Sequence, residues 1–267
     1  MGAAPFLRAS GLLVLGRLAG VSFDLARGCT LAVLGPSGSG KTTLLRILAG
    51  FEAPAQGRLE IDGAVVSLDG KVYLPAERRG LTFAFQEPAL MPHMDAIDNV
   101  LLGVRGAKQD RLATARQALA DVGLPGFEQR RIWSLSGGEA QRIQLARTLA
   151  ADASILLLDE PFASVDRMCR ADLLARIGAK LKRAAGKGCA VIVTHDPADA
   201  MELADLTMML KDGQIVAFGP FDQIAAGRFG AWPAQFLAAG LAGRELPAQA
   251  PASDGAPAPA LQQPAER

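Results

Sequence analysis

The sequence predicts an α/β fold: a parallel sheet between helices, with a patch of antiparallel strands and an inserted helical lobe. Three observations point there. Short, mostly apolar runs recur at Thr30 to Leu34, Leu81 to Phe85, Ile155 to Leu158 and Ala190 to Thr194, the composition of strands buried on both faces. Each run is followed by glycine or a polar residue, and open α/β sheets hold their ligands at the carboxyl ends of strands. Between these runs the texture changes twice: Gly57 to Leu74 alternates and turns as short antiparallel strands do, and Glu87 to Ala150 shows helical spacing without a convincing strand.

In chain order, Thr30 to Leu34 feeds directly into Gly35-Pro36-Ser37-Gly38-Ser39-Gly40-Lys41-Thr42. A helix should follow over Thr42 to Ala49, carrying Leu44, Leu45, Ile47 and Leu48 and stopping at Gly50. Further on, Arg111 to Val122 and Glu139 to Ala150 read as helices of the inserted lobe. Leu206 to Leu210 and Gln214 to Phe218 flank Asp212-Gly213, a strong hairpin signal. From about Arg244 onward Pro, Ala and Gln dominate, so residues 244–267 are expected to be a disordered tail.

Composition narrows the function. Half of the 267 residues are apolar, which allows a sizeable core. Lys plus Arg (28) nearly balance Asp plus Glu (27), leaving a net charge of +1 and no basic field for gripping nucleic acid. Cys29, Cys169 and Cys189 are odd in number and far apart, favouring neither a disulfide framework nor a zinc site. No apolar run approaches the roughly 20 residues needed to span a bilayer, and Leu12 to Leu15 is too short for a signal peptide. A cytoplasmic chain is expected, reaching any membrane through a partner. Without an internal repeat, it should carry one nucleotide-binding unit.

The chemistry lies at the strand ends. Gly35 to Thr42 fits G-x-x-x-x-G-K-[ST], a loop whose backbone N–H groups cradle phosphates. Gly35, Gly38 and Gly40 let the backbone come close, Lys41 neutralises the β- and γ-phosphates, Thr42 serves Mg²⁺, and the following helix adds its positive end. Asp159 can hold Mg²⁺ directly or through water. Glu160, the next residue, can polarise an attacking water. His195 ends another strand, where it could contact a γ-phosphate. Leu135-Ser136-Gly137-Gly138-Glu139 opens a helix with a hydroxyl and flexible N–H groups, a second anion-binding terminus. Two such termini suggest one phosphate tail held from two sides.

In this motif order the chain resembles the nucleotide-binding subunit of an ABC (ATP-binding cassette) transporter of the importer type, from about Phe6 to Gly227. The resemblance implies a RecA-like P-loop NTPase core with an antiparallel β subdomain and an inserted α-helical subdomain (about 87–150), within a cassette spanning residues 1–243. It places the Walker A loop on Gly35 to Thr42, with Gly35, Pro36, Ser37, Gly38, Ser39, Gly40, Lys41, Thr42 and Thr43 on ATP. The Q-loop falls on Gln86, the signature on Leu135 to Glu139 with Ser136, Gly137 and Gly138 on nucleotide, and Walker B on Ile155 to Asp159. Glu160 matches the catalytic glutamate, Ser164-Val165-Asp166 the D-loop, and His195 the switch histidine. Mg²⁺ would be held by Thr42, Gln86 and Asp159. Two cassettes, identical or paired, would join head to tail and bury two ATP molecules, each between the Walker A loop of one and the signature of the other.

The resemblance also implies integral membrane permease subunits and a substrate-binding protein as partners, at the cytoplasmic face of the inner membrane. Gln86 to Met94 resembles the stretch that receives a helix from the permease, and its apolar, Met-bearing character suits that role. Packing of Leu90 and Met91 in the core is the alternative, and His93 is assigned no chemistry. Related cassettes stack an aromatic ring on adenine from a position near Leu12, where this chain has none and only Phe6 could substitute. Glu139 stands where many relatives have Gln. A C-terminal regulatory β-barrel, present in some importers, is not expected. A soluble ABC-type ATPase acting on nucleic acid or ribosomes is the rival reading, but tandem cassettes, coiled-coil insertions and basic arms are missing. A non-catalytic regulatory module would need a broken Walker B or switch position, and Asp159, Glu160 and His195 are intact.

Overall fold

The computed structural model describes residues 4–242, so the expected tail at 244–267 lies outside the described residues. Its strands, numbered in chain order, form two sheets. The antiparallel sheet contains β1 (Leu7–Val14), β2 (Leu18–Leu25), β4 (Gln56–Ile61), β5 (Ala64–Leu68) and β6 (Lys71–Val72), in the order β2-β1-β4-β5-β6. The second sheet contains β3 (Thr30–Leu34), β7 (Leu81–Ala84), β8 (Ile155–Asp159), β9 (Cys189–Val193), β10 (Leu206–Lys211) and β11 (Gln214–Gly219), in the order β11-β10-β3-β9-β8-β7. All its neighbours pair in parallel except β10 with β11, the hairpin. Asp212 (φ 50) and Gly213 (φ 76) close that hairpin with two positive φ angles, the turn that matches strand twist.

The helices are α1 (Lys41–Ala49), α2 (Ala96–Leu101), α3 (Lys108–Asp121), α4 (Gly137–Ala150), α5 (Arg167–Ala185), α6 (Pro197–Leu203), α7 (Phe221–Ala225) and α8 (Ala231–Leu241). The stretch between β7 and β8 carries α2, α3 and α4, and an isolated bridge joins Asp95 to Arg131. Gly50 ends α1 in the left-handed conformation, with φ 85. Strands β1 and β2 are not signalled by the sequence. The pairing of β1 shifts register between Ala9 and Leu12, which breaks the alternation that would reveal a strand.

The parallel sheet is covered on both faces. One face packs against α1 and the antiparallel sheet through Leu31, Val33, Leu44, Ile47 and Leu59, and the other against the helical lobe and α5 through Leu156, Leu158, Ile143, Leu145 and Ile177. Arg79, 4% exposed, fastens the antiparallel sheet to the core. Its guanidinium donates to the carbonyls of Ile47, Leu48, Leu74 and Val66 and to Ser67 Oγ. A cation at the negative end of α1 suits the helix dipole, and burial pushes its pKa down to about 10. Cys29 and Cys189 are free thiols, each pushed up to about 12 by burial, hence inert. Among the described residues, no helix is long and apolar enough to cross a membrane.

Candidate active site

Four neighbouring strands, β3, β9, β8 and β7, run parallel and bring their carboxyl ends to one edge. The glycine loop leaves β3, His195 follows β9, Asp159 ends β8 with Glu160 behind it, and Gln86 follows β7. At about 4.8 Å per strand the whole row spans about 15 Å.

The glycine loop is built against its neighbours. Gly35 has φ 148, and a Cβ there would lie 2.1 Å from the Leu210 carbonyl oxygen; Gly40 has φ 101, and its Cβ would lie 2.5 Å from the carbonyl oxygen of Arg17. Pro36, Ser37 and Gly38 stand exposed on top, whereas Ser39 is buried and its Oγ has no partner. Lys41 Nζ curls back to donate to the carbonyls of Gly35 and Pro36, both at 2.8 Å. Burial lowers its pKa, opposed by the charges of Glu160 and Asp159. No side chain caps α1 and no acid occupies its first turn, so its leading N–H groups stay available to an anion. Thr43 is buried within α1.

Asp159 is 3% exposed, and its Oδ1 is buried without a hydrogen-bond partner. Burial raises its pKa, against a hydrogen bond from Thr42. An orphaned carboxylate oxygen next to a threonine hydroxyl is a donor set that fits a hard cation such as Mg²⁺. Glu160 adopts φ 48, a left-handed conformation costly for a non-glycine residue. Its N–H donates to the Val193 carbonyl at 2.9 Å, and its own carbonyl accepts from Gln141 Nε2 at 2.7 Å. The side chain then reaches His195, with Nδ1 to Oε2 at 2.7 Å. Behind the histidine, Arg170 ties Asp199 to the carbonyl of Phe162, and Thr194 donates to Asp199.

The signature lies on α4, outside this row. Ser136 caps the helix: its Oγ accepts from Glu139 N at 3.3 Å, and Glu139 Oε2 accepts from Ser136 N at 2.7 Å. That second bond holds the Glu139 carboxyl below the usual range. Gly137 faces open space, while a Cβ on Gly138 would lie 2.5 Å from the Ser164 carbonyl oxygen, so α4 rests on the loop leading to exposed Asp166. Among the described residues, no hydrogen bond or ion pair joins Ser136, Gly137 or Gly138 to residues 35–43.

Two residues escape the motif reading. Gln141 holds the Glu160 carbonyl and accepts from Ser164 N at 2.8 Å. Gln144 brackets the Q-loop, donating to the Phe85 carbonyl at 2.6 Å and accepting from Ala89 N at 2.8 Å. The signal was available: positions 141, 144, 145 and 148 share one helical stripe, and two amides in a stripe otherwise facing the core must find buried partners. Of the 86–94 stretch, Gln86, His93 and Met91 are exposed, and Leu90 is half-buried against the helical lobe. Phe51, Phe83 and Phe85 cluster beside it, with ring centroids 4.4 to 6.0 Å apart.

The adenine-stacking positions need correction. Leu12 is 0% exposed in the core, so it cannot face a nucleotide. Phe6 does not substitute: it is buried beneath the Arg27 guanidinium, next to Gly188 at the amino end of β9, the end of the sheet opposite the glycine loop. Leu15, 83% exposed, lies in the β1–β2 turn, whose Arg17 carbonyl abuts Gly40 of the loop.

Fold and site together define a P-loop nucleotide-binding protein. The comparisons make that specific. The ABC transporter family profile matches residues 18–163, more than half of the chain, and this protein belongs to that family. Among curated relatives, an Fe(3+) ions import ATP-binding protein of Mesorhizobium japonicum is 42% identical over 203 residues, covering 76% of this chain and 56% of the relative. A taurine import ATP-binding protein of Pseudomonas aeruginosa is 46% identical over 193 residues, covering 71% and 70%. The chain thus spans about half the length of the iron-import relative. A solved ATP-binding cassette, MJ0796, described as dimeric in a post-hydrolysis state with ADP and Pi, superposes with a TM-score of 0.69 at 28% identity, covering 80% of this chain and 98% of that one.

Proposed function

We propose that this chain is the ATP-hydrolysing subunit of a bacterial ABC importer for a small solute or ion. The observation that carries the reading is the contact of Glu160 with His195 at 2.7 Å, at the sheet edge that also presents the glycine loop and the unpartnered Asp159 oxygen. ATP would lie along Gly35 to Thr43, its terminal phosphates against Lys41 and the uncapped end of α1. Mg²⁺, held by Thr42, Asp159 and Gln86, would offset charge on the β- and γ-phosphates. Glu160 would orient water for attack on the γ-phosphorus, the bond to ADP breaking as the new P–O bond forms, and His195 would fix the Glu160 carboxylate in place. Ser136, Gly137, Gly138 and Asp166 of a second cassette would close over the same nucleotide. The names of the relatives support import, and the dimeric form of the solved cassette supports pairing. The partners are membrane permease subunits at the cytoplasmic face of the inner membrane and a substrate-binding protein, with the surface at 86–94 and its phenylalanine cluster as the permease contact. A net charge of +1 disfavours the nucleic-acid alternative. The test is Glu160→Gln: ATP binding and ATP-dependent pairing should persist while turnover falls by about 10³-fold or more. Turnover at the parent rate removes Glu160 from the mechanism.

A further inference from the structure

Among the described residues, the two most exposed large apolar side chains are Leu15 (83%) and Trp133 (80%), well ahead of Tyr73 at 57%. Leaving a tryptophan in water forgoes the burial of roughly 150–250 Å², so its exposure calls for an occupant. Their placement supplies one. Leu15 sits in the β1–β2 turn, whose Arg17 carbonyl abuts Gly40 of the glycine loop. Trp133 sits in a short 3₁₀ turn, Ile132–Ser134, three residues before Ser136. Each of the two half-sites for phosphate therefore has one exposed apolar side chain next to it.

We infer that Trp133 of one copy covers the adenine of the ATP held in the glycine loop of the other, with Leu15 of the holding copy on the opposite face of the base. This rests on the head-to-tail pairing proposed above. Three residues reach at most about 10 Å, the scale of the ribose and phosphate tail that separates a base from its γ-phosphate. An indole face is a sequence-tolerant platform for a purine. Exposed Arg130 and Arg131 precede it and add attraction for the nucleotide's charge. The arrangement explains how a chain with no aromatic residue in the β1–β2 turn can still hold a base: the stacking partner arrives only on pairing. Base recognition is then a property of the closed dimer, and a lone subunit grips chiefly the phosphates.

The test uses the full chain with Glu160→Gln to trap ATP and Trp232→Phe, which leaves Trp133 as its one tryptophan of the two. Pairing is followed by sedimentation against MgATP, and Trp133 emission in the same samples. Emission should change as ATP pairs the subunits and stay constant when ADP binds the monomer. Trp133→Ala should raise the ATP concentration for half-maximal pairing roughly 5- to 100-fold, the value of one base stack, and shrink the preference for ATP over UTP. Monomer affinity for ADP should stay the same, and Trp133→Phe should recover most of the loss. Pairing with constant Trp133 emission overturns the inference, as does an Ala variant with the parent's midpoint and base preference. If the parent chain with Trp133 intact fails to pair under ATP, the head-to-tail reading itself falls, and the adenine contact with it.

Discussion

The two helix ends proposed to hold phosphate are built in opposite ways. At α1, no side chain caps the helix and no acid lies in its first turn, while the loop before it is wedged so tightly that Gly35 and Gly40 have no room for a Cβ. At α4, Ser136 and Glu139 cap each other, and Gly137 faces open space. The first is a preorganised site with unmet donors, and it gains when an anion arrives. The second is partly met by its own side chains, the Ser136 hydroxyl taking the Glu139 N–H and the Glu139 carboxylate the Ser136 N–H, so an incoming phosphate meets a carboxylate already seated at that end. Such an asymmetry suits the proposed function, in which each subunit would hold nucleotide firmly and the pair would close only briefly.

The largest effect should come from the tight side. Gly35→Ala forces a Cβ within 2.1 Å of the Leu210 carbonyl oxygen at φ 148, and should cost about 3 kcal/mol or more in urea unfolding and abolish ATP binding. Gly137→Ala, in open space on a helix, should shift stability by under about 1 kcal/mol. Equal losses in the two variants would erase the contrast between wedged and open ends.

A middle-sized effect tests the unmet charge on the α1 side. The Asp159 pKa is raised in the fold by burial, so the nucleotide-free fold binds a proton there more tightly than the unfolded chain does. That contribution to stability is complete below the ordinary value of 3.8 and is lost as pH rises through the raised one. Asp159→Asn should therefore raise the melting midpoint of the nucleotide-free chain at neutral pH, by about 2–4 °C for each kcal/mol released. Its stability should also fall less steeply above pH 4 than the parent's, while Mg²⁺-dependent turnover is lost. A lower midpoint at pH 7, measured calorimetrically, would show that the buried carboxylate stabilises the empty site.

The smallest effect addresses the self-capped end. Glu139→Gln keeps a side-chain oxygen for the Ser136 N–H but removes the negative charge. It should lower the ATP concentration needed for pairing by roughly 2- to 5-fold, the weight of one charge at a helix terminus. Added salt should shrink the gain. Tighter pairing that ignores salt would point to geometry in place of charge.

Strands such as Thr30–Leu34 are legible because a segment buried on both faces needs no alternation, only continuous apolar character. In the proposed site, the glycine loop, Asp159, Glu160 and His195 stand out in the sequence because phosphate chemistry restricts both residue type and spacing. By contrast, β1 and β2 stay hidden behind a register shift, and near Leu12, where the resemblance implies a base contact, the pleat turns Leu12 into the core while Leu15 stands exposed in the turn after β1. Gln141 and Gln144 carry no motif, because their role is to satisfy backbone groups that only the assembled fold leaves unpaired.

By itself, then, the sequence determined the strands of the parallel sheet and the residue types of the proposed phosphate site, since both depend on local pattern and on residue types that few alternatives can replace. Tertiary structure alone decided which side chains meet. It set Glu160 against His195 across neighbouring strands, brought Arg79 to the end of α1, and left Leu15 and Trp133 in solvent. Those outcomes depend on strand order and register, which no window of consecutive residues encodes.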